Sequence, residues 1–181
     1  MMLISNRLLL ISTALLLAGC SALNPFAAKP KNTPAALTSF TPSMAVRTTW
    51  SLNVGKAGDY VFTPAFVDGR VYVANEAGDV RCIDASSGNV VWKVSAGMKL
   101  MSGVAADATN VVVAGAGGVV QAFHASTGEK RWKFQASTEV LSAPAIGNGV
   151  VVLRSLDNRI VAVDSETGAR RWNLQRTAPP L

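Results

Sequence analysis

The chain is poor in the residues from which most catalytic and metal sites are built. Its 181 residues include one histidine, two cysteines and only 15% charged residues. A single histidine excludes a metal site with two histidine ligands. Two cysteines exclude a disulfide-rich scaffold and a zinc module with four cysteine ligands. The hydrophobic content of 49% is nevertheless enough for a substantial core, so general disorder is not expected.

The first 20 residues lack the length of a membrane-spanning helix but have the order of a signal peptide. Arg7 precedes an apolar run from Leu8 to Leu17, which is too short to cross a bilayer. The sequence LAGC then ends at Cys20 and resembles a bacterial lipobox. It predicts a signal peptide over residues 1–19 and a lipid on Cys20. An ordinary secretory signal with a chance cysteine, or an uncleaved anchor, is the alternative.

Residues 20–45 show neither a helical nor an alternating apolar period. They contain four prolines, Pro25, Pro30, Pro34 and Pro42. Such a composition is typical of partly extended chain. The segment 20–45 is therefore predicted to be a lipidated tether that holds a folded body, residues 46–181, away from the membrane.

A repeat organises residues 46–181. Glycines and tryptophans each recur every 40 residues: Gly88, Gly128 and Gly168, and Trp92, Trp132 and Trp172. Asp84 and Asp164 stand four residues before their glycines, and His124 takes the corresponding place in the middle unit. The most economical interpretation of His124 is a weaker cap of the same turn. The spacing predicts repeated structural units, with the aspartates, glycines and tryptophans as scaffold residues.

Each unit is predicted to form four short strands. In the first unit these are Thr63–Val67, Arg70–Asn75, Asp79–Asp84 and Asn89–Val94. Turn sequences such as Asp68-Gly69 separate β-branched runs, which is the strongest short-range signal for a hairpin. An isolated strand, Arg47–Val54, carries Trp50. Four strands per 40 residues are typical of a β-propeller blade.

The motif Ala-x-Asp-x-x-x-Gly-x-x-x-Trp resembles the tryptophan-docking repeat of propellers of the pyrroloquinoline-quinone type. Together with the lipobox and the tether, it resembles the BamB family of outer-membrane assembly lipoproteins. Cys82 departs from the motif's Ala, and His124 from its Asp. The resemblance implies an all-β fold, with about three blades and one isolated strand out of an eight-bladed ring.

We therefore expect a C-terminally truncated fragment that exposes a blade face and aggregates or oligomerises. A small natural protein that forms an open three-blade stack or an oligomeric ring is the alternative.

No group of residues in the sequence points to catalysis, a cofactor or a metal. Gly115–Gly118 superficially resembles a phosphate loop, but no helix follows it. The basic residues around Trp132 and Trp172 favour solvated strand edges over an acidic partner or nucleic acid. Quinone dehydrogenases are expected to carry adjacent cysteines, which this chain lacks.

The resemblance thus implies a non-catalytic scaffold at the periplasmic face of the outer membrane. Its implied partners are BamA, the rest of the Bam complex and unfolded outer-membrane proteins. Leu181 is placed by the resemblance at the start of the loop that contacts BamA. The alternative is a periplasmic quinone-dependent propeller dehydrogenase or a related quinone-binding protein.

Overall fold

The computed structural model describes residues 35–39 and 43–175. The predicted signal peptide, Cys20, most of the tether and Leu181 lie outside these residues. Backbone contacts divide the chain into two units, 1–45 and 46–181. In the first unit the described residues, 35–39 and 43–45, are exposed and belong to no helix or strand.

The second unit contains three four-stranded antiparallel sheets, one per repeat. Sheet 1 consists of β1 (Ala65–Val67), β2 (Arg70–Ala74), β3 (Asp79–Asp84) and β4 (Val90–Ser95); sheet 2 of β5 (Ala105–Ala106), β6 (Asn110–Ala114), β7 (Val119–His124) and β8 (Lys130–Gln135); sheet 3 of β9 (Ala145–Gly147), β10 (Val150–Arg154), β11 (Arg159–Asp164) and β12 (Arg170–Gln175). Strands follow sequence order in every sheet. The predicted all-β propeller architecture is confirmed, and the one helical element within residues 35–39 and 43–175 is a 3₁₀ turn at Ala116–Gly118.

The turns explain why each repeat folds back on itself. Asp68 and Asn148 each take positive φ, 47° and 49°, in the first turn of their sheets. Both are followed by a glycine that also has positive φ. Left-handed residues give a two-residue turn the twist that antiparallel strands require. The middle unit has no such pair, and Asp107 there accepts hydrogen bonds from the backbone N–H groups of Thr109 and Asn110.

The predicted strand Arg47–Val54 forms no ladder with any strand among the described residues. A β-strand requires a series of backbone hydrogen bonds to a neighbouring strand, and residues 47–54 have no such series. All three sheets already have four strands of their own. This segment therefore runs along sheet 1 without joining it.

The core lies between the sheets and not within any one of them. Two apolar clusters are present, one between sheets 1 and 2 and one between sheets 2 and 3. Strand β6 contributes to both, since Val111 and Val113 belong to the first cluster and Val112 and Ala114 to the second. Alternate side chains of a strand point to opposite faces. Sheet 2 is consequently buried on both faces and cannot be stable without its neighbours.

A tryptophan from β4 joins sheet 1 to sheet 2, and a tryptophan from β8 joins sheet 2 to sheet 3. The Trp92 indole donates to the Ala125 carbonyl over 2.9 Å, and the Trp132 indole to the Ser165 carbonyl over 2.8 Å. Only 9% of Trp92 and 8% of Trp132 remains exposed. Burial of a large ring together with satisfaction of its N–H makes each tryptophan both an apolar and a polar anchor.

The glycine of the next repeat provides the space for each ring. A Cβ added to Gly128 would lie 2.9 Å from both Trp92 Cε3 and Val94 Cγ1. Its φ is +76°, a conformation that side chains disfavour. Trp50 lies against Gly88 in the same way and donates to the Ala85 carbonyl over 2.8 Å. The same contact therefore occurs three times.

Replacement of Gly128 tests this packing. Gly128→Ala should lower the free energy of unfolding by about 3 kcal/mol, because the methyl group adds overpacking to left-handed strain. Gly117→Ala is the matched control, since its φ is +66° and nothing lies within 4 Å of an added Cβ. The control should lose only about 1 kcal/mol. Urea unfolding measures both, and equal losses would contradict the proposed contact.

Candidate functional site

Two of the three glycine turns that receive a tryptophan, those at Gly88 and Gly168, are built around a carboxylate. Asp84 Oδ1 accepts from the backbone N–H groups of Ser86 and Ser87 over 3.2 and 3.1 Å. The Gly88 N–H donates to the Asp84 carbonyl over 2.8 Å, which closes the turn. A β-bulge precedes it, between Cys82 and Ile83. The carboxylate thereby fixes the loop that presents Gly88.

Asp164 forms the same turn in sheet 3 and adds an ion pair. Its Oδ1 accepts from the Glu166 and Thr167 N–H groups, and Arg171 Nη2 lies 2.6 Å from Oδ2. Asp84 pairs instead with Arg70 over 3.0 Å, so the arginine comes from a different strand. The Arg171 guanidinium, followed by the Thr167 hydrogen bonds, holds the pKa of Asp164 at about 2. The Ser86 hydroxyl and the Ser87 N–H hold the pKa of Asp84 at about 2.

His124 occupies the corresponding place in sheet 2. The Ser126 N–H lies 3.3 Å from its Nδ1, and the Ser126 hydroxyl lies 3.0 Å from the same atom. The Gly128 N–H still donates to the His124 carbonyl over 2.8 Å. The turn therefore keeps its backbone geometry without a carboxylate at its centre.

Arg131 aligns with Arg171, but position 124 offers it no carboxylate, and its guanidinium binds two other side chains. Its Nη1 donates to Asn110 Oδ1 and its Nη2 to Glu166 Oε2, each over 2.6 Å. Asn110 is fully buried and lies in the same sheet, whereas Glu166 belongs to the glycine turn of sheet 3. This side chain thus links sheets 2 and 3 beside Trp132. Sequence analysis missed the link because Glu166 does not recur at its repeat position.

The segment that carries Trp50 is held on sheet 1 by side chains. Arg81 Nη1 donates to the Asn53 carbonyl over 2.9 Å, and Asn75 Nδ2 donates to the Val54 carbonyl over 2.7 Å. Asn75 is 5% exposed and also accepts from the Asp79 N–H. The segment is therefore attached at separate points and not by a continuous ladder.

The outer strands β4, β8 and β12 are edge strands of their sheets. Each pairs with one neighbour only among the described residues. Lys130 and Lys133 of β8 are exposed, as is Arg170 of β12. Lysines and arginines on an edge strand discourage uncontrolled pairing with other chains. Lys130, Lys133 and Arg170 form no ion pair among the described residues, whereas Lys93 of β4 pairs with Asp79 over 2.9 Å, so the edges of β8 and β12 carry unpaired positive charge there.

A cavity of about 210 Å³ opens between sheets 1 and 2, lined by residues that include Tyr72 and Cys82. The Tyr72 hydroxyl donates to the Ala125 carbonyl over 3.3 Å, the same oxygen that Trp92 reaches. Burial raises the pKa of Tyr72 to about 12 and also raises the pKa of the Cys82 thiol. Both groups therefore remain protonated and serve the packing of the two sheets.

The acidic residues and the histidine of the repeat motif lie apart from one another, each in its own turn. Among residues 35–39 and 43–175, no three His, Cys, Asp or Glu side chains come close enough to hold a metal ion. No helix in the same residues could cross a membrane. The aspartates and His124 instead organise turns.

The depressed pKa values of Asp84 and Asp164 predict a loss of stability in acid. A carboxyl group whose folded pKa lies below its unfolded value stabilises the fold fully above about pH 4, and this contribution is lost as the pH falls towards 2. Asp164→Asn should therefore lower the urea midpoint at pH 7 and converge with the unchanged chain near pH 2. Asp68→Asn, in a turn outside the motif, is the control. A pH-independent difference for Asp164→Asn would contradict the assignment.

Restoration of the motif carboxylate in sheet 2 should stabilise the chain. His124→Asp places an acceptor in the turn and an anion within reach of Arg131, as in the Asp164–Arg171 pair. We expect a gain of about 0.5 kcal/mol at pH 7, the size of an exposed ion pair. His124→Asn separates turn capping from charge, and only His124→Asp should lose its gain near pH 2. No gain from either variant in urea unfolding would show that the present Arg131 contacts are equally good.

Comparisons with known proteins agree with this geometry. The family model described as "Outer membrane protein assembly factor BamB" matches residues 47–99 and 76–181. An outer membrane protein assembly factor BamB of Burkholderia pseudomallei is 38% identical over 96 residues, which cover 53% of this chain and 24% of that protein. The matched stretch thus spans about a quarter of the relative's length.

Two solved structures share the fold. The crystal structure of BamB from Moraxella catarrhalis superposes with a TM-score of 0.61 at 22% identity, over 68% of this chain and 37% of that one. A quinohemoprotein alcohol dehydrogenase from Comamonas testosteroni gives a TM-score of 0.57 at 26% identity, over 67% of this chain and 22% of that one. These likenesses show the fold, and the two ranges matched by the family model together cover residues 47–181. The chain therefore belongs to the BamB family of outer membrane protein assembly factors.

Proposed function

We propose that this chain serves as a non-catalytic scaffold in the machinery that inserts β-barrel proteins into the bacterial outer membrane. The observation that carries the proposal is the family match across residues 47–181. The relative in Burkholderia pseudomallei is named an outer membrane protein assembly factor. Rigid sheets with open outer edges suit a protein that holds other chains without changing them.

The outer strands supply a mechanism for that role. An extended segment can add to an open sheet edge through backbone hydrogen bonds, while alternate side chains select the partner. Strand β12 is exposed along its whole length, and β4 and β8 are exposed at most positions apart from their tryptophans. An unfolded barrel protein consists of such extended segments. We therefore assign its transient capture to β4, β8 and β12.

The proposed location follows from the amino-terminal sequence. A lipid on Cys20 would anchor the chain, and the tether to residue 45 would let the sheets reach partners at the periplasmic face. The proposed partner is BamA within the Bam complex, with Leu181 at the start of the contact loop. These assignments rest on the lipobox, on the family resemblance and on Ser21, which stands where lipoproteins retained in the inner membrane usually have an aspartate.

Dehydrogenase chemistry is the second candidate, favoured by the likeness to the quinohemoprotein alcohol dehydrogenase. The described residues do not fit a quinone with calcium. Cys82 is a single buried thiol there, and no three acidic, cysteine or histidine side chains converge. The shared feature is the sheet architecture, which propellers of different function have in common.

Strand capture is tested with a peptide copied from a β-strand of an outer-membrane barrel protein. The full chain should raise the fluorescence anisotropy of the labelled peptide. N-methylation of alternate amides on the pairing edge should abolish the rise, because strand addition depends on backbone N–H donors. Methylation of the opposite edge leaves the pairing edge intact and is the matched control. Binding that survives N-methylation of both edges of one peptide would refute capture by strand addition.

The role in the assembly machinery is tested by isolation of the tagged full chain from bacterial membranes. BamA should copurify with the chain, and absorbance titration with pyrroloquinoline quinone and calcium should show no stoichiometric uptake. Quinone uptake without BamA would favour the dehydrogenase. The absence of both would reject the scaffold proposal as well.

A further inference from the structure

The cavity between sheets 1 and 2 has a buried floor and an exposed rim. Tyr72, Cys82 and Ala125 line the floor, and each of them is at most 4% exposed. The rim consists of exposed residues from three turns and from β4: Asp68, Ala108, Ser126 and Val91. The cavity is therefore a pocket with a largely apolar interior that opens to solvent. Both sheets that form it have all four of their strands among the described residues.

The equivalent place between sheets 2 and 3 is occupied by a side chain of the protein itself. Arg131 stands one 40-residue repeat after Val91, and both lie at the β-bulge of their outer strand. The Arg131 guanidinium crosses to Glu166, which stands one repeat after Ser126. A valine is too short to make this crossing, and a serine offers no carboxylate to receive it. The pocket is thus the space that one long side chain fills in the next joint.

The size of the pocket decides which class of group it accepts. An apolar cavity of about 150 Å³ holds a benzene molecule. Pockets for whole drug-sized ligands measure roughly 300 to 1,000 Å³. The pocket between sheets 1 and 2 measures about 210 Å³, so it accepts one aromatic ring and is too small for a polycyclic cofactor. It therefore suits a single side chain of a larger partner.

The pocket extends to the open edge of sheet 1. Val91 belongs both to the rim and to β4, which pairs with β3 along its other edge. A segment added to the open edge would lie about 4.8 Å from β4, a separation that an aromatic side chain spans. Strands of outer-membrane barrels alternate apolar with polar residues and carry aromatic residues near both membrane interfaces. Such a strand supplies the group that the pocket accepts.

We propose that this pocket receives one aromatic side chain of an unfolded barrel protein whose backbone adds to β4. Backbone hydrogen bonds then provide affinity for any extended segment, and the pocket selects segments with an aromatic residue in register. The inference rests on the proposed capture function and assigns its selectivity to the joint between sheets 1 and 2. At β8 the corresponding place is taken by Arg131, so capture there is expected to lack this preference.

Two labelled peptides and the full chain test the pocket. Both peptides copy the same strand of an outer-membrane barrel protein, and alanines replace the aromatic residues in the second. Fluorescence anisotropy should show about tenfold or more tighter binding of the aromatic peptide, because only this peptide can bury a ring.

A variant that closes the pocket identifies where the ring binds. Val91→Arg with Ser126→Glu copies the Arg131–Glu166 pair into this joint and should reduce the affinity of the aromatic peptide to that of the alanine peptide. Ala108→Trp covers the mouth from an exposed turn without a new charge and should have the same effect. Asn89→Glu with Val90→Arg is the matched control. It adds the same two charges, but neither residue lines the pocket, and Val90 pairs with Ile83 on the opposite face of sheet 1.

The outcomes separate this inference from the function on which it rests. Equal affinity of the two peptides would overturn the pocket and leave capture by strand addition intact. An aromatic preference that persists in both pocket variants would place the ring elsewhere and also overturn the proposal. Binding of neither peptide would reject the capture function together with this inference.

Discussion

The structure depends on one contact, a tryptophan ring on a glycine turn, repeated from sheet to sheet. Each four-stranded sheet has apolar side chains on both faces and cannot bury them by itself. The tryptophan ring fills the gap between two sheets. Its indole N–H donates to a backbone carbonyl of the next sheet, which holds the two sheets in register with each other. The glycine is the complement, because any side chain there would occupy the position of the ring.

The architecture could be predicted from the sequence because the contact joins neighbouring repeats and recurs with a constant spacing. A 40-residue spacing of glycine and tryptophan predicted the repeat, and strand bounds within about two residues followed from alternating apolar residues and Asx-Gly turns. The middle unit was harder to predict, since Asp107 replaces the Asx-Gly turn and β5 shortens to Ala105–Ala106. A strand of two residues has too few side chains to show a period.

Two kinds of contact could not be predicted from the sequence: those in which a backbone group is the partner, and those in which the partner residue occurs in one repeat only. The acceptors of the tryptophans are carbonyls of Ala85, Ala125 and Ser165, and a carbonyl leaves no trace in residue identity. Arg131 looked like one of several basic residues beside a tryptophan. Its link to Glu166 crosses between repeats and occurs once. The roles assigned to Cys20 and Leu181 stay predictions, because both lie outside the described residues.

Strand β8 has two roles, since one of its side chains packs against the next sheet and others face solvent. In β8, Trp132 points into the joint with sheet 3 while Lys130 and Lys133 face solvent from the same six-residue strand. Anything that pairs with the free edge of β8 also restrains the strand from which Trp132 projects. Binding of a chain to the β8 edge would then be thermodynamically linked to the packing of Trp132 between sheets 2 and 3, and such linkage is reciprocal. If the proposed capture on the β8 edge changes the stability of the Trp132 joint, that joint changes the affinity of capture by the same factor.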